Sequence, residues 1–138
     1  MATDRAAPAA IAVLIAGHSG PSLRGHVCAF FTIVDIISHW IRFTLAQRVQ
    51  THHKLLASRF ALLRFYYKNK PFLTAECMFY EAFFIGSLAA VSCTGLLAQM
   101  GTVIAKISFP GTVLKTFISL EQLVDAIEYL SAIDAEQK

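Results

Sequence analysis

The sequence predicts an all-α fold, a multi-pass bundle of about four transmembrane helices. Apolar residues make up 56% of the 138 residues and charged residues only 15%, against about 25% charged in an ordinary globular domain. The mean hydropathy of +0.56 indicates more apolar surface than a small water-soluble core can bury. Backbone groups inside a membrane must be satisfied within each segment, so the spans are expected to be helices. We expect one domain over residues 1–138, with helices at about 2–18, 26–47, 72–98 and 110–133 and a basic connector over 48–71.

The formal net charge of +3 is modest, but its distribution favours a membrane over a nucleic acid. A nucleic-acid binder carries its basic patch on a soluble fold, whereas here the patch lies between two apolar segments. Basic connectors between spans favour the cytosolic side. No nucleic-acid partner is therefore expected. The patch has no acidic residue and consists of Arg42, Arg48, Lys54, Arg59, Arg64, Lys68 and Lys70.

The first apolar segment, Ala6 to Gly17, is too short for an ordinary span of about 20 residues. Its charged start, with Arg5, and the small residues around it imitate a signal peptide. The alternative is a membrane helix whose beginning is missing from the sequence.

The second segment, Val27 to Leu45, has the length of a spanning helix and carries a polar stripe. Asp35, Ser38, His39 and Arg42 follow the i, i+3, i+4, i+7 pattern, which places them on one helical face. Ionisable groups cannot face lipid cheaply, so this face is expected to meet other helices or a watery cavity. A functional role is favoured over a purely structural bond between Asp35 and His39, because four polar groups exceed what one pair needs.

The basic connector is expected to form a short helix and an irregular loop that gathers cations near the membrane surface. Attraction to anionic lipid is the alternative explanation for these cations. Pro71 then opens the third segment, as is common in the first turn of a helix. That segment runs from Phe72 to Met100. Within it, Glu76 is expected to be solvated by lipid headgroups and Glu81 to face the interior of the bundle.

The last segment follows a break at Phe109-Pro110-Gly111 and runs to about Ile133. Lys115, Ser119 and Gln122 form a second polar stripe at i, i+4, i+7. Several acids interrupt this segment, so an amphipathic helix lying at the membrane interface is an alternative to a span.

Several blocks in the middle of the chain resemble a known enzyme family. In order, the sequence contains Asp35-Ile-Ile-Ser38-His39-Trp40, His53-Lys54, Leu63-Arg64-Phe65-Tyr66-Tyr67, Lys70-Pro71 and Glu81. Their order and spacing, including the ten residues from the proline to the glutamate, resemble the eukaryotic phosphatidylinositol synthases. The final stretch from Pro110 also looks like the last helix of that family. Such enzymes transfer a phosphatidyl group from CDP-diacylglycerol to myo-inositol and release CMP.

The resemblance implies the carboxy-terminal part of the six-helix CDP-alcohol phosphotransferase fold. That family's signature, D-x2-D-G-x2-A-R-x8-G-x3-D-x3-D, places two divalent metals, Mg²⁺ or Mn²⁺, among four aspartates. Asp4 matches the fourth aspartate, the proposed general base and a metal ligand, and the third would fall immediately before Met1. The chain is therefore expected to be an amino-terminally truncated synthase, whose activity alone is doubtful. Truncation also accounts for the short first segment.

The resemblance also leads us to expect a polar cavity for inositol. A planar guanidinium can hold two oxygens at once, so Arg64 is the strongest candidate and Lys54 the next. The active site is expected to face the cytosol from the endoplasmic reticulum membrane. The partners implied are the two substrates and membrane lipids, with a homodimer left open. The full set of expected substrate-binding residues is Arg5, Lys54, Arg64, Asp35, Ser38 and His39.

Three other interpretations stay open. The chain could be another CDP-alcohol phosphotransferase, which a comparison of alcohol acceptors would reveal. It could be a non-catalytic membrane subunit or remnant, which the missing metal ligands favour. The third alternative is a small ion- or proton-conducting bundle that uses Asp35, His39 and Glu81, but this leaves the basic connector without a role.

Overall fold

The computed structural model of the chain describes residues 3–20, 22–48 and 59–136, with the side chains of residues 3–5, 134 and 136 excepted. All the regular structure in these ranges is helical, which confirms the predicted all-α fold. The elements in chain order are α1 (Thr3–Ser19), α2 (Leu23–Arg48), α3 (Ala61–Lys68), α4 (Lys70–Ser92) and α5 (Gly95–Glu136).

Within the described ranges, three helices, α2, α4 and α5, are long and apolar enough to cross a membrane. The outer surface of α2 shows why a membrane suits this chain. Its polar stripe is turned inward, and the opposite face exposes large apolar side chains, among them Phe30, Ile33, Ile37 and Trp40. Contiguous apolar surface of this kind marks contact with lipid or with a partner. The helices thus give the chain the character of an integral membrane protein.

The closest helix pair is the antiparallel hairpin of α4 and α5. The chain reverses at Cys93 and Thr94, and Gly95 then opens α5 with a φ of +62°, a left-handed conformation that glycine adopts without strain. Gly86 and Gly101 face each other within the hairpin. A Cβ atom at either position would lie 2.8 Å from atoms of the other helix. Small residues allow membrane helices to approach this closely.

Two predicted helix boundaries are wrong. The third predicted helix, 72–98, ends already at Ser92, and the fourth begins at Gly95 rather than near residue 110. The turn was missed because Cys93 and Thr94 are not strong turn formers, so its position depends on the glycine that follows and on the packing of the hairpin.

Pro110 lies inside α5 and does not end it. Proline removes one helical hydrogen bond, but membrane helices tolerate it where neighbouring helices and hydroxyl groups support the backbone. Here the Thr112 hydroxyl lies 3.0 Å from the carbonyl oxygen of Ser108 and 3.4 Å from that of Phe79 on α4. Gly111 packs directly against Phe79. A Cβ atom added at Gly111 would lie only 2.7 Å from the Cβ atom of Phe79. Contact with α4 therefore holds α5 together through the predicted break.

The short helix α3 confirms the prediction of a helix in the basic connector. Leu63 and Tyr66 point inward and pack with Ile118 of α5, whereas Arg64 and Phe65 are exposed. Asn69 caps the following helix, since its side-chain oxygen accepts from the Phe72 amide at 3.2 Å.

Two apolar clusters pack along α2 and α5, one towards each end. The first joins α1, α2, α4 and α5 around Phe31 and Phe84. The second joins α2 and α5 through Leu45 and Ala126. Between the two clusters, the interior of the bundle is polar.

Candidate functional site

A band of buried polar side chains runs along the contact between α2 and α5. Asp35 of α2 pairs with Lys115, and Arg42 pairs with Asp125. Residue numbers rise together on both helices, so α2 and α5 run parallel. We call this band the polar seam; it comprises Asp35, Ser38 and Arg42 of α2 and Lys115, Ser119, Gln122 and Asp125 of α5.

The central contact of the polar seam is a buried ion pair. The Lys115 ammonium donates to Asp35 Oδ1 at 2.7 Å, and the two side chains are 3% and 4% exposed. The Ser119 hydroxyl donates to the same oxygen at 3.4 Å. The ammonium also lies 4.4 Å from the ring centroid of Tyr80, within the range of a cation–π contact. A charge buried in this way is costly unless it is paired, so the pair ties α2 to one register on α5.

A second ion pair lies about two turns further along α2 and almost three turns further along α5. Arg42 donates to Asp125 Oδ2 at 2.7 Å, with side-chain exposures of 2% and 12%. Its guanidinium carbon lies 5.5 Å from the ring centroid of Tyr67 on α3. The amide of Gln122 donates to the Tyr67 hydroxyl. These contacts dock α3 onto the polar seam.

Helix α4 adds a carboxylate to the same interior. Glu76 is 5% exposed, and its Oε2 atom has no hydrogen-bond partner among the residues described. The Lys115 ammonium acts on this carboxylate electrostatically. The prediction that lipid headgroups solvate Glu76 is therefore wrong.

The expectation for Glu81 is wrong as well, because this side chain is exposed rather than interior. The inward face of α4 includes Glu76, Tyr80, Phe83 and Ser87, a helical stripe at i, i+4, i+7, i+11. Glu81 follows Tyr80 directly, which rotates it by about 100° away from that stripe. The buried aromatic residues fix the rotation of α4, and in that rotation Glu76 faces the interior whereas Glu81 faces outward.

The predicted polar face of α2 does lie inside the bundle. Asp35 and Ser38 are buried, His39 is half-buried, and Arg42 is 1% exposed. The Ser38 hydroxyl donates to the backbone oxygen of Asp35 at 3.1 Å. The orientation of the stripe is thus confirmed, and its role in binding inositol stays a prediction.

The other predicted site residues are not brought into the polar seam. Arg64 lies on the exposed face of α3, where its guanidinium donates to the backbone oxygen of Arg59 at 3.1 Å. Lys54 falls outside the described residues. Asp4 and Arg5 lie in the first turn of α1, but their side chains are not among those described. The roles of all four residues remain predictions.

The two-metal site implied by the family resemblance can be tested against the side chains present. Among those described, no group of three or more His, Cys, Asp or Glu residues could hold a metal ion. The described residues therefore do not fit a Mg²⁺ or Mn²⁺ pair, and Asp4 lies outside this test.

Sequence reasoning missed several members of the interior, although some left a signal. Asp125 lies one turn beyond Gln122 and extends the stripe that begins at Lys115. Tyr67 and Tyr80 could not be identified in this way, because an aromatic side chain can equally contact lipid, pack in an apolar core or lie against a cation.

The fold and the polar seam define an all-α membrane protein whose interior holds paired charges and hydrogen-bonding side chains. Comparison of the chain with family models, curated proteins and solved structures finds no match.

Proposed function

We propose that this chain takes part in phosphatidylinositol synthesis, the transfer of a phosphatidyl group from CDP-diacylglycerol to myo-inositol with release of CMP. The role of the chain in this reaction is to bind inositol. The observation that carries the proposal is the polar seam, because buried ionisable groups in a membrane bundle commonly mark a substrate path. The block Asp35 to Trp40, which resembles the phosphatidylinositol synthases, contributes Asp35 and Ser38 to it.

The chemistry of inositol suits this interior. Inositol is a small ring whose hydroxyl groups each donate and accept, so a pocket for it needs fixed donors and acceptors. Besides its ion pairs, the interior keeps buried oxygens that make no hydrogen bond to the described residues: Glu76 Oε2 and Gln122 Oε1. Both can accept from a hydroxyl group. The nearby Lys115 ammonium is a fixed donor.

We further propose that the Arg42 end of the seam faces the cytosol in the endoplasmic reticulum membrane. The basic connector joins α2 to α4 at this end, and basic connectors favour the cytosolic side. Arg64 then lies on the water-facing side of α3, where it can bind inositol before the inositol enters the polar seam.

The first experiment measures binding and turnover separately. The whole chain is reconstituted in phosphatidylcholine vesicles, and bound labelled inositol is measured with glycerol 3-phosphate, serine and choline as competitors. Labelled lipid and CMP are then measured after adding CDP-diacylglycerol with Mg²⁺ or Mn²⁺. Inositol-selective binding with CMP release supports the enzyme. Selective binding without turnover supports an inositol-binding subunit that does no chemistry, and no selective binding overturns the proposal.

A matched pair of variants locates the contact. Arg64→Ala removes a charged donor worth about 1.5–3 kcal/mol, so we expect inositol affinity to fall about 10- to 100-fold while membrane insertion is unchanged. Lys68→Ala is the control, because it removes the same charge from the exposed side of the same helix. Equal affinity in the two variants would remove Arg64 from the site.

A further inference from the structure

A second polar cluster lies against the first apolar cluster, with which it shares Phe83 and Ala105. Arg24 in the first turn of α2 and Lys106 of α5 meet there around an open pocket of about 220 Å³. No acidic residue among those described contributes to its wall. The full lining is Arg24, Phe83, Ser87, Thr102, Ala105, Lys106 and Phe109.

The position of Lys106 needs an explanation. It lies eleven residues into α5, about 17 Å from the start of that helix, and its side chain is exposed. The adjacent Ile107 and nearby Val103 are exposed apolar residues, so the ammonium emerges on a lipid-facing surface. No carboxylate among the described residues forms an ion pair with Lys106 or Arg24. Two cations are thus gathered at one pocket without an anion from the part of the chain that the structure describes.

The floor of the pocket adds a buried hydroxyl group. Ser87 is 1% exposed, and its buried Oγ interacts with the Cys28 thiol but has no hydrogen bond of good geometry to the described residues. The Thr102 hydroxyl is already used, since it donates to the Ala98 carbonyl oxygen at 2.9 Å. Because a thiol is a weak hydrogen-bond partner, a ligand oxygen in the pocket would compete with Cys28 for the Ser87 hydroxyl.

We propose that this pocket binds the phosphate group of an anionic phospholipid. Arg24 and Lys106 neutralise the phosphate charge, and Ser87 donates to one of its oxygens. Phe83 and Phe109 provide the apolar wall against which the glycerol and the first part of an acyl chain pack. That wall, together with the opening towards lipid, favours a lipid phosphate over a free phosphate ion. The site is separate from the polar seam and does not depend on the proposed synthesis of phosphatidylinositol.

The test compares lipids of different charge on the purified whole chain. Retention of phosphatidylglycerol and of phosphatidylcholine is measured by titration in detergent micelles, with inorganic phosphate as competitor. We expect phosphatidylglycerol to bind at least tenfold more tightly than phosphatidylcholine. Inorganic phosphate at the same concentration should displace little of it. Equal binding of the two lipids overturns the proposal, and efficient competition by inorganic phosphate replaces the lipid with a free ion.

Variants assign the preference to this pocket. Lys106→Gln changes only an exposed residue, so folding should survive, and the preference for phosphatidylglycerol should fall at least fivefold. Ser87→Ala should weaken binding severalfold without changing the net charge. Lys70→Gln, which removes an exposed cation at the first turn of α4, is the control and should keep the preference. An equal loss in Lys70→Gln would show attraction to the charge of the whole chain, and no loss in Lys106→Gln would show that its ammonium extends to the membrane surface instead. Either result overturns the assignment.

Discussion

Replacing Asp35 by alanine should destabilise the bundle strongly, because it leaves Lys115 buried without its anion. The ammonium would lose its 2.7 Å contact with Asp35 while remaining in a site where it is 3% exposed. The Tyr80 ring at 4.4 Å compensates only in part. Breaking a buried pair by removing one partner costs about 3–5 kcal/mol, and we expect a loss of unfolding free energy in that range.

The chain contains a matched control for this measurement. Arg59 and Glu128 form a pair of similar length, 2.6 Å, but their side chains are 61% and 46% exposed. Exposed pairs contribute about 0.2–1 kcal/mol, so Glu128→Ala should cost no more than that. Both variants are compared with the unmodified chain by denaturant unfolding in one detergent, with helix content read by circular dichroism.

A double substitution separates the cost of an orphaned charge from the value of the pair itself. Asp35→Leu combined with Lys115→Met removes both charges and fills the space with apolar side chains. Such replacements are often neutral or stabilising by about 1–4 kcal/mol, so the double variant should be more stable than Asp35→Ala. The reasoning is refuted if Asp35→Ala costs no more than Glu128→Ala, or if the double variant is as unstable as the single one.

Two further predictions concern the helices that frame the polar seam. Gly101→Ala should cost about 1–3 kcal/mol by overpacking, because its Cβ would lie 2.8 Å from backbone atoms of α4. Gly17→Ala is the control, because a Cβ atom added there would have no atom of the described residues within 4 Å, so it should be neutral or stabilise by about 0.4–1 kcal/mol. Equal melting temperatures for the two variants would contradict the close approach of α4 and α5. Asn69→Ala should cost about 1 kcal/mol by removing the cap on the Phe72 amide, and an unchanged melting temperature would show that water replaces it.

Much of the secondary structure could be predicted because helical periodicity is a local property. The stripe at Asp35, Ser38 and Arg42 and the stripe at Lys115, Ser119 and Gln122 both indicated faces that avoid lipid, and both faces are buried. The predicted second helix, 26–47, lies within α2, and a short helix does form in the basic connector. Each of these conclusions depends on neighbours within a few turns.

The errors fall where distant residues decide the outcome. Pro110 and Gly111 looked like a break, yet contact with Phe79, more than 30 residues earlier, allows α5 to continue. The choice between Glu76 and Glu81 depended on which face of α4 the neighbouring helices cover. Arg64, the strongest candidate from the family resemblance, gains no support from proximity to the polar seam, because it lies on the exposed side of α3.

Local patterns in the chain were thus enough to predict a membrane bundle of helices with polar faces on α2 and α5. That these two faces meet, with Asp35 against Lys115 and Arg42 against Asp125, is seen only in the folded chain. A polar stripe inside a membrane needs polar partners, but the local sequence does not show which residues of the chain those partners are. The partners lie about 80 residues away, and they meet because close packing of α4 on α5, together with the apolar clusters on either side of the polar seam, sets how α2 and α5 align.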